Sequence, residues 1–196
     1  MPSRSNTDGS FAAAHDAAFA VIADAVARLD APAPVVVIDG RSGGGKTSLA
    51  RRLETEWPRP GEAPQLVALD SFYPGWDGLA EATHLTREWL LIPHAAGIDG
   101  RWRRFDWESL AFAEEHVVDA GRALIVEGAG ALSPAAQGLA DLTVWIDAPA
   151  GSRRQRAIER DGDTYAPHWD RWAAQEAAHI AEHDPRAVAD LVFELP

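Results

Sequence analysis

The chain has 196 residues, 46% of them hydrophobic, which is enough for one domain with a sizeable core. It contains no cysteine, which excludes disulfides and thiolate metal sites and fits a reducing compartment. The formal net charge of −12 disfavours non-specific binding to nucleic acid. We find neither a signal peptide nor an apolar run of about 18 residues. We therefore expect a soluble, cytoplasmic protein with no nucleic-acid or membrane partner.

In chain order, the polar residues 1–10 predict a mobile N-terminus, and residues 11–196 are predicted to form a single domain. The Ala-rich segment 11–29 has apolar residues at helical spacing, and the prolines of the linker at 31–34 end that helix. Short, continuously apolar runs then predict buried strands at 35–38, 65–69, 123–126, 142–146 and 191–195.

Helical patterns lie between these runs, at 47–56, about 108–119, 151–160 and 168–183. Residues 74–107 are the one long segment predicted to be irregular. Alternation of strands and helices predicts an α/β fold, in which helices cover both faces of a mostly parallel sheet of about five strands.

The stretch Gly40-x-x-x-x-Gly45-Lys46-Thr47 follows the first predicted strand and opens a helix, which is the context of a phosphate-binding P-loop. Backbone N–H groups of such a loop cradle polyphosphate oxygens. Lys46, the only lysine of the chain, would reach the β- and γ-phosphates, and Thr47 would offer its hydroxyl to Mg²⁺. The predicted nucleotide-binding residues are Gly40, Ser42, Gly43, Gly44, Gly45, Lys46, Thr47 and Ser48.

Carboxylates follow two of the predicted strands, Asp70 after the second and Glu127 after the third. Ligands gather at the carboxyl ends of strands in open α/β sheets, so both can face the phosphates. One can orient a hydroxyl acceptor and take its proton, and the other can serve Mg²⁺. Whether Asp70 is a base or a metal partner is left open, and so is a helix-capping or solvated role for either residue.

Three further elements carry a resemblance: Asp70-Ser71-Phe72-Tyr73, Val126-Glu127-Gly128, and the arginines from 153 to 160. Together with the P-loop, they make residues 35–161 similar to the uridine kinase and phosphoribulokinase family of small-molecule kinases. The resemblance implies a three-layer P-loop kinase fold with a short arginine-bearing lid, and transfer of the γ-phosphoryl group of ATP with Mg²⁺. It also implies a catalytic base at Asp70, a metal-side carboxylate at Glu127, and lid residues Arg154, Arg156 and Arg160 that act with Lys46.

The acceptor segment of that family matches here at Asp106, while Trp107 and Glu108 replace its His and Pro. Tyr73, Arg101, Arg104 and Asp106 are therefore the predicted acceptor-binding residues. The arginine cluster 101–104 would bind an anionic acceptor, or it braces the fold. Trp102 and Trp107 stack a base or sugar, or they pack in the core.

We expect the partners to be ATP and a small-molecule acceptor, most simply the hydroxyl of a nucleoside-like or ribose-containing molecule, and a homodimer is left open. The alternatives are a nucleoside monophosphate kinase with an anionic acceptor and a non-catalytic nucleotide-dependent regulator. His179 and His183, four residues apart on a predicted helix, are expected on a solvated face. Trp169 and Trp172 are expected to pack that helix onto the sheet.

Overall fold

A computed structural model describes the backbone of residues 4–196 and the side chains of residues 9–196. Helix α1 (Arg4–Ala27) begins before the start predicted at residue 11. It packs against the rest of the molecule through Ala18, Phe19, Ile22 and Val26. The mobility predicted for residues 1–10 stays a prediction, and residues 1–3 lie outside the described residues.

The strands are β1 (Val35–Gly40), β2 (Gln65–Ala68), β3 (Gly100–Asp106), β4 (Ala111–Val118), β5 (Leu124–Glu127), β6 (Leu142–Asp147) and β7 (Leu191–Glu194). Five of them form one sheet in the order β2-β5-β1-β6-β7, and every neighbouring pair is parallel. The five predicted strands are confirmed, because continuously apolar runs suit strands that are covered on both faces.

The helices after α1 are α2 (Lys46–Thr55), α3 (Leu79–Leu85), α4 (Ile92–Ala95), α5 (Pro134–Gln137), α6 (Ala150–Asp161), α7 (Trp169–His183) and α8 (Pro185–Val188). Alternate residues of β1 and β5 point into two core clusters, one on each face of the sheet. Helices α1 and α2 cover one face, and α3 and α7 cover the other. The predicted three layers are confirmed. Trp169 and Trp172 of α7 are buried in the second of these layers, as expected.

The helix predicted at about 108–119 is wrong. Residues 111–118 form β4, which pairs antiparallel with β3 as a separate two-stranded sheet, the β3–β4 hairpin. The Ala and Glu content of this stretch favours a helix, but Phe112 packs against Trp89 and Phe105, and pairing across strands decides the outcome.

Residues 74–107 are not irregular as predicted. They contain α3, a π-helical turn at Thr86–Leu91, α4 and β3. The three helical pieces follow one another without a gap from Leu79 to Ala95, and the wider π-helical turn between α3 and α4 breaks the 3.6-residue periodicity that marks a helix in a sequence.

One segment, Gly9–Ala27 of α1, is long and apolar enough to cross a membrane by length and composition alone, with a mean hydropathy of 1.3. The sequence analysis did not count it as an apolar run. Its Ile22 and Val26 belong to the core beside the sheet, while 22% of the segment is buried overall. A buried core helix of a soluble protein and a signal sequence near the N-terminus both pass the same test, so the segment is weak evidence for a membrane span.

Candidate active site

The glycine-rich loop joins the carboxyl end of β1 to α2, and two close backbone approaches shape it. Gly40 has a φ of 149°, and a Cβ there would lie 1.9 Å from the Ile146 carbonyl oxygen of β6. Gly43 has a φ of 75°, and a Cβ there would lie 2.1 Å from the Arg153 carbonyl oxygen of α6. Only glycine allows the loop to curl between these two elements. Residues 40–48 thus lie in the strand–loop–helix arrangement that the sequence predicts.

Lys46 is the first residue of α2, and its side chain extends back across the loop that precedes the helix. Its side chain is buried, and Nζ donates to the Arg41 carbonyl oxygen at 3.1 Å. A cleft of about 220 Å³ opens beside it, here called the P-loop cleft, lined by Phe11, residues of the loop and the start of α2, Asp70, Tyr73, Glu127, Arg156 and Arg160. A cation beside curled backbone and the N-terminus of a ten-residue helix suits a polyphosphate.

Thr47 and Glu127 meet in the P-loop cleft. The Thr47 hydroxyl donates to Glu127 Oε1 at 3.0 Å, and Glu127 is only 2% exposed. Burial raises the pKa of Glu127, and the Lys46 charge opposes that rise. Hydroxyl and carboxylate oxygens are hard ligands of the kind that Mg²⁺ prefers, and Mg²⁺ at a nucleotide takes only one or two of them from the protein. These residues fit a nucleotide-bound Mg²⁺, while no cluster of three or more His, Asp or Glu side chains for a metal occurs in the described residues.

Asp70 and Tyr73 come from the turn that follows β2. Asp70 lies in the 3₁₀ turn Leu69–Ser71, and its exposed carboxylate lines the P-loop cleft. The Tyr73 hydroxyl donates to the Ala129 carbonyl oxygen at 2.8 Å, and burial raises its pKa well above the usual range. The Tyr73 ring thus forms part of the cleft wall, while its hydroxyl is bound to the backbone. The Asp70 carboxylate, in contrast, faces the space where ligands would lie.

The arginines of α6 divide between two faces of the helix. Arg156 and Arg160 line the P-loop cleft, and Arg156 Nε donates to the Gly43 carbonyl oxygen at 2.8 Å. Arg160 is bound bidentately to Asp161, at 2.8 and 2.6 Å. Arg154 is exposed and does not line the cleft. Residues three or four apart share a helix face, so α6 cannot turn Arg154 to the same side as Arg156.

Arg153 supports the P-loop from below, a role that the sequence analysis missed. It is 3% exposed, and its Nε lies 3.1 Å from Asp147 Oδ1 and donates to the Ala148 carbonyl oxygen at 2.9 Å. Its Nη1 donates to the Ser42 carbonyl oxygen at 3.3 Å and lies 3.9 Å from Glu176 Oε2. The spacing of 153, 156 and 160 on one face of a helix was the available signal.

Glu176 of α7 reaches the same loop from the other side. Its Oε1 accepts a hydrogen bond from the Ser42 backbone N–H at 2.6 Å, and the side chain is buried. Glu176 and Arg153 together hold both backbone polar groups of Ser42. No sequence pattern pointed to Glu176, because it lies 134 residues from its partner.

The predicted acceptor residues of the β3–β4 hairpin are paired with their own neighbours. Arg101 Nη1 lies 2.6 Å from Glu115, and Arg104 binds Glu114 at 2.5 and 3.0 Å. Asp106 accepts from the Ser109 hydroxyl at 2.8 Å and from the Glu108 N–H at 3.2 Å, which closes the hairpin turn. Arg101, Arg104 and Asp106 do not line the P-loop cleft, so the structure does not bring them to Asp70.

A second cavity, about 200 Å³, adjoins the P-loop cleft and shares Ser42, Asp70, Tyr73 and Arg160 with it. We call it the aromatic chamber, because its other lining residues are Asp161 and the rings of Trp76, Trp107, Tyr165 and Trp172. The Trp76 and Trp107 rings lie 5.0 Å apart, and Trp76 also stacks on His168 at 4.2 Å. Trp102, in contrast, packs against Phe72 and His116 in the core.

Asp39 and His179 fix the loop that follows β5. Asp39 is fully buried and accepts from the backbone N–H groups of Gly130 and Leu132 at 2.9 and 2.8 Å. His179 Nε2 lies 2.9 Å from the Leu132 carbonyl oxygen and 3.5 Å from Asp39 Oδ2. The expectation of a solvated face is therefore wrong for His179. The acid within an apolar strand was a signal that the sequence analysis passed over.

No protein-family model matches the chain, and a search of curated protein sequences finds no match. Solved structures do resemble it. A protein from Bacillus stearothermophilus described as a possible uridine kinase is 18% identical, with a TM-score of 0.62, over 91% of this chain and 98% of that one. A candidate fructose transport system kinase from Silicibacter sp. TM1040 is 18% identical, with a TM-score of 0.56, over 89% of this chain and 98% of that one. The three-layer α/β architecture with its P-loop is thus a P-loop kinase fold, as the resemblance in the sequence implied.

Proposed function

We propose that this protein is a uridine kinase-like phosphotransferase that moves the γ-phosphoryl group of ATP, bound with Mg²⁺, to the hydroxyl of a small molecule. One observation carries the proposal: the P-loop, the Thr47–Glu127 pair and the free carboxylate of Asp70 line a single cleft. The likeness to structures named as kinases supports it at the level of fold. A cytoplasmic location is part of the same proposal.

In the transfer step, the acceptor oxygen forms a bond to the γ-phosphorus, and the bond from that phosphorus to the β–γ bridging oxygen breaks. ADP leaves with the electron pair of the broken bond, and the acceptor proton passes to the Asp70 carboxylate. Lys46 and Arg160 offset the negative charge on the phosphates, and Arg156 stays a predicted lid residue that lines the cleft. Arg154 stays a predicted lid residue that is exposed in this conformation.

Thr47 and Glu127 would hold Mg²⁺ through their oxygens. The ion, when bound, neutralises charge on the β- and γ-phosphate oxygens. Glu127 must be ionised to bind it, and the nearby Lys46 charge favours that form against the effect of burial. Because Glu127 already occupies the metal side with Thr47, Asp70 is left to act as the base.

The aromatic chamber favours an uncharged acceptor that carries a flat ring. Its only cation among the described residues is Arg160, which is bound to Asp161, and four aromatic rings form much of its wall. Rings of this kind stack bases and other flat groups. A nucleoside-like alcohol fits this space, with its hydroxyl directed to Asp70.

The alternative, a nucleoside monophosphate kinase, needs free cations at the acceptor phosphate. Of the hairpin arginines predicted for that role, Arg101 and Arg104 are bound to Glu115 and Glu114, and Arg103 donates to backbone carbonyl oxygens of β4, which disfavours it. A non-catalytic regulator would not require a carboxylate such as Asp70 at the phosphate-binding edge.

An ADP-release screen tests the proposal with Mg²⁺-ATP and panels of nucleosides, nucleotides, sugars and vitamin alcohols. We expect a ring-bearing alcohol to be turned over, and Lys46→Ala to abolish turnover while the protein stays folded. Asp70→Asn should lower kcat by about 10² or more and leave ATP affinity nearly unchanged, because it removes the base and spares the P-loop.

Wild-type protein that releases no ADP with any acceptor would contradict the proposal. Near-normal kcat in Asp70→Asn with a confirmed alcohol substrate would remove the base assignment. Activity of Asp70→Asn that returns at higher Mg²⁺ would instead identify Asp70 as a metal partner.

A further inference from the structure

One end of the P-loop cleft is formed by residues that phosphate binding does not explain. The cleft and the aromatic chamber share Ser42, Asp70, Tyr73 and Arg160, so transfer occurs at that shared end. Phe11 of α1 and Arg156 of α6 line the cleft but not the chamber. A bound nucleotide that directs its γ-phosphoryl group toward Asp70 must leave the cleft at the end away from the chamber.

Phe11 is brought to that end by packing of α1 directly on the start of α2. A Cβ on Gly45 would lie 3.2 Å from Phe11 Cζ, 3.5 Å from Leu195 Cδ1 and 3.6 Å from His15 Cδ2. Gly45 is the N-cap of α2, and Lys46, Thr47 and Ser48 follow it. The Phe11 ring therefore adjoins the place where the phosphate cradle ends.

Arg156 faces the Phe11 ring. Its guanidinium carbon lies 4.2 Å from the centroid of that ring, within cation–π range. Nε and Nη1 donate to the carbonyl oxygens of Gly43 and Pro196, at 2.8 and 3.1 Å. The third nitrogen, Nη2, is buried and has no hydrogen-bond partner within the described part of the chain. Two of the three guanidinium nitrogens thus hold the plane in position against the Phe11 ring.

We propose that Phe11 and Arg156 form the wall on which the base of the donor nucleotide stacks. The inference rests on the proposed function, since it assigns the donor half of that site. Aromatic and guanidinium planes stack any base, so the ligand class is a nucleoside triphosphate. This assignment makes α1 a nucleotide-binding element and gives Arg156 a role apart from the transferred phosphate.

Binding of Mg²⁺-ATP and of inorganic Mg²⁺-tripolyphosphate, measured by calorimetry, separates the base from the phosphates. In Phe11→Ala we expect ATP affinity to fall by at least about five-fold, in line with the loss of one base stack. Tripolyphosphate affinity should stay unchanged, because the P-loop is intact. Phe11→Trp should keep the wild-type affinity for ATP, and Val21→Ala, exposed on the same helix, should change neither affinity.

An equal loss for both ligands would assign Phe11 to support of the loop and overturn the inference, and so would an unchanged ATP affinity. Wild-type protein that binds neither ligand would overturn the proposed function itself and the inference with it. If Phe11→Ala does not fold, as judged by circular dichroism, Phe11→Leu keeps apolar bulk without an aromatic face and gives the same comparison.

Discussion

The support beneath the P-loop and the β3–β4 hairpin are both built from arginines and carboxylates, but only the support beneath the P-loop is withdrawn from water. Beneath the P-loop, the side chains of Arg153 and Glu176 are each 4% exposed. On the hairpin, Arg104 and Glu114 are 41% and 52% exposed. The buried side chains beneath the P-loop are held in one geometry by the fold. The exposed ion pairs of the hairpin are weakened by solvent and salt.

Two glutamates show what this difference does to protonation. Burial raises the pKa of Glu127 in the cleft, whereas the Arg104 guanidinium lowers the pKa of Glu114 on the hairpin to about 2. The same residue type is thus shifted in opposite directions by its surroundings. An arginine cluster in a sequence indicates function only once the partners of its members are known.

The largest expected effect is on the buried side of this comparison. Arg153→Ala would leave Glu176 without its cation and Asp147 with only the more distant Arg41, at 3.8 Å, and breaking a buried pair in this way costs about 3–5 kcal/mol. Urea unfolding monitored by circular dichroism measures the loss. Arg101→Ala on the hairpin is the matched control and should leave the unfolding midpoint nearly unchanged. Similar midpoints for the two variants would mean that burial does not separate the two regions.

The next effect distinguishes the two faces of α6. Arg160→Ala should lower kcat by about 10², since it removes a cation that lines the transfer site. Arg154→Ala should leave kcat within about two-fold, because its side chain is exposed away from the cleft. Steady-state rates with Mg²⁺-ATP and the identified acceptor test both. A large loss in Arg154→Ala would show that α6 moves on nucleotide binding and would restore Arg154 to the lid.

A smaller effect is expected on the pH dependence of stability, in which Glu127 and Glu114 should differ. Because the folded-state pKa of Glu127 is raised, its ionised form destabilises the fold, so Glu127→Gln should raise Tm at pH 8 without Mg²⁺. The gain should shrink as the pH falls through the raised pKa toward the ordinary value of 4.5, where wild-type Glu127 is protonated.

Glu114→Gln should behave in the opposite way. The lowered pKa of Glu114 means that its ionised form stabilises the fold above pH 4.5, and this contribution is lost as the pH falls toward 2. Its exposure makes the change slight. Thermal melts of the wild type and both variants across this pH range give the answer, and parallel curves for the two variants would contradict the contrast.

The smallest effect is expected for acceptor binding by the hairpin. Arg101→Ala and Arg104→Ala should leave the KM for an uncharged acceptor unchanged, because both guanidinium groups are bound to carboxylates of β4. A KM that rises for the acceptor and not for ATP would instead support the anionic acceptor and the nucleoside monophosphate kinase alternative.

Local patterns were enough for much of the fold and for the phosphate half of the site. Continuous apolar runs marked all five strands of the sheet, and the spacing from Gly40 to Thr47 marked the loop. What escaped prediction depends on partners that are distant in the chain. Glu176 contacts Ser42 from 134 residues away, and Asp39 holds the Leu132 N–H from 93. The aromatic chamber likewise gathers rings from across the chain that share no local pattern, and β4 forms a strand because Phe112 finds aromatic partners on other elements.

The bond from the Ser42 N–H to Glu176 has a consequence for how quickly parts of the loop exchange amide hydrogens with solvent. This amide, and that of Gly44, which donates to the Arg41 carbonyl oxygen at 3.0 Å, are satisfied within the protein before any ligand arrives. The amides of Lys46 and Thr47 stand at the start of α2, where no preceding turn accepts their hydrogens. Deuterium uptake at Ser42 and Gly44 should therefore be slow both with and without nucleotide. Bound nucleotide should slow uptake chiefly at Lys46 and Thr47.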